Sequence, residues 1–154
     1  MCGINGILRL RADAPSVDVE VAERTRDAMA RRGPDGRGLW VSPDGSLVLG
    51  HRQLAVIDLS ESGAQPMSYD DGRYQMVFNG EIYNYKELRA ELERDGVRFH
   101  STSDSEVILA LYSREGIASF AKLRGMFALA IWDGRARRLA LARDPYGIKP
   151  LYLA

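Results

Sequence analysis

Residues 126–133, MFALAIWD, make a near-continuous apolar run that stops at Gly134. The run suits one strand, and a strand without a polar side is buried on both faces. A second run, RLALARD at 138–144, follows the break and reads as its neighbour. A strand covered on both faces needs one layer above it and one below. The chain is therefore expected to build layered sheets with helices outside them.

The other segments fit that plan. Residues 2–10 (CGINGILRL) read as a strand. Residues 17–31 place Val21, Ala22, Thr25, Ala28 and Met29 at helical spacing, and Arg32-Gly33-Pro34 stops that helix. Residues 37–42 and 46–50 flank Pro43-Asp44-Gly45, a hairpin turn. QLAVID (53–58) and YQMVFN (74–79) read as strands, with the loop LSESGAQPM after the first. Helices are expected over 84–95 and after Ser103. Asn84 with Glu87, and Ser103 with Glu106, have the spacing of capping boxes, and Gly96 and Gly116 are placed to end the two helices. Strands at the two ends with helices between them make an α+β chain.

Length and charge narrow the function classes. The 154 residues read as one domain over 1–154. Lys+Arg and Asp+Glu are both 21, so no basic surplus points to nucleic acid or an anionic membrane. Arg31-Arg32 and the basic cluster from Arg135 to Arg138 read as a solvated helix end and a solvated hairpin. No apolar run approaches the roughly 18 residues of a membrane span. The start, MCGINGILRLRA, lacks the long apolar stretch of a signal peptide, so the cytoplasm is the expected compartment. One Cys excludes an internal disulfide framework and a Cys-rich zinc site.

That one cysteine is Cys2. Removal of Met1 would make it N-terminal, with a nucleophile and a base on one residue. A free α-amine titrates near ~8 and can accept a proton at neutral pH. Amine-activated Thr or Cys is a known form of nucleophilic catalysis. Position alone does not distinguish this from a cysteine with no role. Asn79-Gly80 also has two readings: a type I′ hairpin turn, or an oxyanion hole in which an Asn amide and a backbone N–H hold developing negative charge. Asp104 reads as a helix N-terminal acid or as a partner for a ligand ammonium. His51, one of two histidines, reads as a packed residue before it reads as a catalyst. Asp35, Asp58, Asp133 and Asp144 have no metal-ligand spacing, and HExxH, GxSxG and GxxxxGK[ST] are absent.

Eight segments in order carry a resemblance: MCGI, RRGPDG (31–36), GHRQLAVIDLS (50–60), QPM (65–67), FNGEIYNY (78–85), SDSEVILALY (103–112), GMFALAIWD (125–133) and RDPYGIKPLY (143–152). Together they resemble the glutaminase domain of class II glutamine amidotransferases, in the asparagine-synthetase branch. The resemblance spans nearly the whole chain. It implies an N-terminal-nucleophile hydrolase fold, an αββα sandwich of two antiparallel sheets between helical layers, whose last strands would lie beyond Ala154. It implies that Met1 is removed and that Cys2 attacks the side-chain amide of glutamine. The matching positions assign Asn79 and Gly80 to the oxyanion hole, Glu81 to substrate binding and Asp104 to the glutamine α-ammonium. Backbone groups from Leu54 to Val56 would line the pocket. No cofactor or metal is implied within this domain. ATP and Mg²⁺ would belong to a C-terminal or separate synthetase domain that uses the ammonia, and dimers are common in the family.

One position departs from the pattern. Where the family has an Arg for the glutamine α-carboxylate, this chain has Gln53, with Arg52 one place earlier. Strand neighbours point to opposite faces, so Arg52 is not expected to substitute. A neutral amide cannot reproduce a bidentate Arg–carboxylate pair. Weak glutamine binding, or an altered amide donor, is therefore expected. Two alternatives stand beside amide hydrolysis: a non-catalytic glutamine-binding or interaction domain with a degenerate pocket, and a Cys–His hydrolase using Cys2 and His51.

Overall fold

The computed structural model describes residues 1–11, 13–54 and 63–154. One sheet has three antiparallel strands, β1 (Gly3–Leu8), β2 (Gly36–Val41) and β3 (Leu47–Gln53), in the order β1-β3-β2. The other has four, β4 (Met67–Tyr69), β5 (Tyr74–Ile82), β6 (Gly125–Asp133) and β7 (Arg138–Arg143), antiparallel and in sequence order. The helices are α1 (Val19–Ala28), α2 (Tyr85–Arg94) and α3 (Asp104–Glu115), and a 3-10 segment over Gly116–Lys122 follows α3.

The apolar run at 126–133 is β6, and it is buried on both faces as expected. Alternation along β5 and β6 sends residues to two cores. Met76, Phe78, Leu129 and Ile131 pack with Leu88 and Leu92 of α2 and Val107, Ile108 and Leu111 of α3. Val77, Ala130 and Trp132 point the other way, against Leu47 and Leu49 of β3, with Ile4 and Trp40 alongside. α1 lies on the outer face of β1 and β3. The layers therefore run α1, three-stranded sheet, four-stranded sheet, α2 and α3, which is the expected αββα order. Among the described residues no helix is long and apolar enough to cross a membrane.

The local signals mostly hold. Asp44 closes the β2–β3 hairpin by accepting from Ser42 Oγ at 2.7 Å and Ser46 Oγ at 2.8 Å, and Gly45 takes the left-handed conformation the turn requires (φ 64°). Ser103 caps α3 by accepting from the Ser105 N–H. Its capping-box partner behaves differently. The Glu106 carboxylate turns to the preceding loop and accepts from His100 N–H, Ser101 N–H and Ser101 Oγ. Asn84 makes no cap hydrogen bond either; its amide joins Lys122 O at 3.0 Å to Arg124 N–H at 2.9 Å, fixing the start of α2 beside β6.

Three expectations change. QLAVID does not begin a strand at Gln53, because Gln53 is the last residue of β3, and residues 55–58 lie outside the described residues. Met67–Tyr69, at the end of the expected loop, is a short strand. β5 does not stop at Asn79 but runs on to Ile82.

Candidate active site

β1 is paired with β3 from Gly3 opposite Arg52, so Cys2 lies beyond the last pair, beside the end of β3. There its Sγ accepts from the Leu54 N–H at 3.4 Å and approaches the Leu54 carbonyl oxygen at 3.7 Å. Arg32, just past α1, donates from Nε to the Cys2 carbonyl at 3.3 Å. The thiol is thus held by its own backbone, by a strand end and by the loop that precedes β2.

The Asn79-Gly80 pair is not a turn. Asn79 pairs with Ala128 and Gly80 with Phe127, well inside the β5–β6 ladder. A Cβ on Gly80 would lie 2.2 Å from the Met126 carbonyl oxygen, so only glycine lets the two strands approach this closely. The strand brings both residues, and Glu81 after them, to the cavity that holds Cys2. The same cavity, about 140 Å³, is lined by His51, Gln53, Leu54, Asp104 and Lys149.

Asp104 is more than a helix-end acid. It opens α3, is 4% exposed, and its Oδ2 accepts from the Ile82 N–H at 2.9 Å. Burial pushes its carboxyl up to about 6, against the pull of the Ile82 and Ser105 N–H groups, and the nearby Glu81 adds to the rise. A buried carboxylate facing a cavity is suited to an incoming cation.

His51 is fully buried, and its Nε2 donates to the Phe78 carbonyl at 3.2 Å. A carbonyl only accepts, so Nδ1 carries the lone pair; it has no hydrogen-bond partner among the described residues. Burial pushes this imidazole down to about 4, despite the bond to Phe78. No hydrogen bond joins His51 to Cys2, which argues against the Cys–His alternative.

The sheet separates Arg52 from Gln53 as strand alternation demands. Gln53 faces the cavity, while Arg52 points to the Gly33 carbonyl and to Asp27. Gly33 sits so close to β3 that a Cβ would fall 2.4 Å from the Arg52 carbonyl carbon. Cys2, Gln53, Leu54, Asn79, Gly80, Glu81 and Asp104 therefore meet in one place, and Val56 lies outside the described residues.

Sequence reasoning passed over three residues that shape this site. Arg32, a helix-end cation by its position, also grips Cys2. Gln65 accepts from the Phe78 N–H through Oε1 at 2.6 Å and reaches Ser105 Oγ through Nε2 at 3.4 Å, joining β5 to α3 at the cavity rim. Lys149, within RDPYGIKPLY, lines the cavity and is buried. The turn-forming Asp144-Pro145-Tyr146-Gly147 just before it was the available signal.

Comparison with known proteins gives the family. The model of the glutamine amidotransferase domain family matches residues 1–154. The chain is 45% identical over 153 residues to asparagine synthetase [glutamine-hydrolyzing] 1 of Bacillus subtilis, covering 99% of this chain and 24% of that protein. It is 39% identical to asparagine synthetase B [glutamine-hydrolyzing] of Escherichia coli, covering 99% of this chain and 27% of that one. The chain thus spans about a quarter of the length of these curated relatives. Among solved structures, the glutamine phosphoribosylpyrophosphate amidotransferase of B. subtilis superposes with a TM-score of 0.78 at 20% identity, over 94% of this chain and 37% of that one. That likeness shows the fold, an αββα sandwich shared with that amidotransferase. With the family model matched from end to end, this chain belongs to the glutamine amidotransferase domain family.

Proposed function

We propose that the chain hydrolyses the side-chain amide of glutamine to glutamate and ammonia through a thioester on Cys2. The supporting observation is that the only thiol in the chain shares one cavity with Asn79, Gly80 and the buried carboxylate of Asp104. Met1 precedes Cys2 in the chain, and while it remains the Cys2 nitrogen is an amide without basicity. Once Met1 is removed, the α-amine of Cys2, directly or through a water, takes the thiol proton. The thiolate attacks the glutamine δ-carbonyl, and Asn79 with the Gly80 N–H holds the oxyanion. The protonated amine then delivers its proton to the leaving nitrogen, releasing ammonia. Water hydrolyses the γ-glutamyl thioester, which frees glutamate and restores the thiol.

Asp104 holds the α-ammonium of glutamine in this reading, and Glu81 assists binding. The ammonia goes to an ATP-dependent amidation of the asparagine-synthetase type, carried out by a further domain where ATP and Mg²⁺ belong. The B. subtilis and E. coli relatives, four times as long and named as glutamine-hydrolysing asparagine synthetases, support that destination.

Intact mass before and after exposure to an electrophilic glutamine analogue tests the reading. Loss of Met1 followed by one adduct on Cys2 is the expected result. Loss of Met1 with no adduct and no ammonia released from glutamine would sink it. The neutral Gln53 in the cavity would then favour a non-catalytic glutamine-binding domain.

A further inference from the structure

We propose that Gln65 is a positioning residue for the oxyanion donors: its side-chain amide stands in for a strand on the free edge of β5 and leaves the Gly80 N–H uncovered for substrate. The inference rests on the glutaminase reading for its purpose. In an antiparallel ladder the N–H groups of every second residue leave the same edge of a strand. β4 covers that edge of β5 only as far as Met76, which pairs with Met67. Beyond Met76 the N–H groups of Phe78, Gly80 and Ile82 follow one another along it. A buried N–H without an acceptor costs free energy, so acceptors are expected there. Gln65 Oε1 accepts from Phe78 at 2.6 Å, and Asp104 Oδ2 accepts from Ile82 at 2.9 Å. Among the described residues nothing accepts from Gly80 on this edge, and Gly80 lines the cavity. Two side-chain acceptors thus flank one open donor.

The register explains why a side chain does this. Counting back from Met67, residue 65 falls opposite Phe78, so a longer β4 would lay its backbone there and run on past Gly80. The Gln65 backbone lies against β2 instead, where Gly38 makes room for it: a Cβ on Gly38 would overlap the Gln65 carbonyl oxygen. Only the Gln65 side chain reaches β5, and an amide oxygen accepts as a peptide carbonyl does. The edge is thereby paired at Phe78 and open at Gly80. His51 Nε2 donates to the Phe78 carbonyl at 3.2 Å, so both edge groups of Phe78 are bound, one residue before Asn79. Gln65 Nε2 also donates to Ser105 Oγ at 3.4 Å, beside Asp104. One side chain therefore ties the strand that carries Asn79 and Gly80 to the helix end that carries Asp104. That tie sets the oxyanion donors relative to the group that anchors the substrate. A misplacement of about 1 Å in such a site costs up to about 10²-fold in rate.

Amide hydrogen exchange followed by NMR, alongside glutamine kinetics, tests this on the whole chain after confirmed loss of Met1. In Gln65→Met the Phe78 amide should exchange about tenfold faster, while Val77 and Glu81, whose N–H groups face β6, keep the wild-type rate. Its kcat should fall about ten- to a hundredfold, with KM for glutamine held within about twofold. Gln65→Asn, polar but one methylene too short, should behave in the same way, and the pair guards against one variant failing to fold. Gln65→Glu keeps an oxygen for the Phe78 N–H, so it should retain slow Phe78 exchange and recover kcat relative to Gln65→Met. Unchanged Phe78 exchange, or faster exchange with unchanged kcat, would overturn the inference. Faster exchange throughout β5 with kcat and KM worsening together would also overturn it and make Gln65 a packing residue. A wild type that releases no ammonia defeats the glutaminase reading, and Phe78 exchange then upholds or overturns the edge role of Gln65 on its own.

Discussion

Arg52 donates from Nε to the Gly33 carbonyl at 3.1 Å, and its Nη1 lies 3.5 Å from Asp27 Oδ1. That guanidinium is committed to the turn after α1, on the side of the sheet away from Cys2. Its neighbour Gln53 faces the cavity and offers the carboxylate of an amino-acid substrate only a neutral amide. A hydrogen bond to a charged donor is worth roughly 1 kcal/mol more than a neutral one. Gln53→Arg should therefore lower the KM for glutamine about five- to tenfold at nearly constant kcat. Arg52→Gln should leave KM alone and lower Tm. Steady-state kinetics and thermal melts on the two variants separate these effects, and a KM that rises in Gln53→Arg would count against the assignment.

Asn79 and Gly80 should fail in different ways. In the proposed mechanism Asn79→Ala removes an oxyanion donor, and it should cut kcat by about 10²- to 10³-fold with little change in Tm. Gly80→Ala places a methyl 2.2 Å from the Met126 carbonyl, so β5 and β6 must separate there, and both Tm and activity should fall. Equal losses of Tm in the two variants would make Asn79 structural.

That pair also marks where sequence reasoning stops. Asn79-Gly80 carries a hairpin-turn signal of its own, yet pairing with Ala128 and Phe127 draws it into a strand, because ladder bonds and two packed faces outweigh dipeptide preference. The run at 126–133 was legible because its burial is written in its own residues. The Asp44 turn and the Ser103 cap were legible because their partners lie within a few positions. The contact of Lys149 with Met1 spans 148 positions, and Glu106 turns from its cap to His100 and Ser101. No periodicity records either choice. The motif resemblance, rather than pattern, brought Cys2, Gln53 and Asp104 together on paper, and the fold places them in one cavity.

Glutamine binding should weaken in mild acid. Asp104 holds a cation only when ionised, and its carboxyl is pushed up to about 6. KM should therefore rise as pH falls through about 6, while an isolated carboxylate would carry the same change to about pH 4. Asp104→Asn should raise KM strongly and remove this limb from the KM profile. A KM limb that persists in Asp104→Asn would assign it to another group.

Asp104 and His51 line the same cavity and have opposed effects on acid stability. The folded Asp104 carboxyl is pushed up to about 6 from its ordinary 3.8, so between those values the folded state binds the extra proton. Stability from this group therefore rises on acidification and is lowest above pH 6. The folded His51 titrates at about 4 against 6.5, so between those values the unfolded state binds the extra proton, and stability from His51 falls on acidification. Each shift corresponds to roughly 3 kcal/mol over nearly the same window. In the wild type the two slopes should nearly cancel, leaving stability flat from pH 6.5 to 4 apart from the other carboxylates. Asp104→Asn should stabilise the fold at pH 8, because the cost of a buried charge is gone, and should then lose stability steeply below pH 6.5. His51→Gln should show the opposite slope, growing more stable as pH falls from 6 to 4. Urea melts of the three proteins at pH 8, 6 and 4 measure this directly. Parallel pH curves for the two variants would mean that neither group carries the linkage assigned to it.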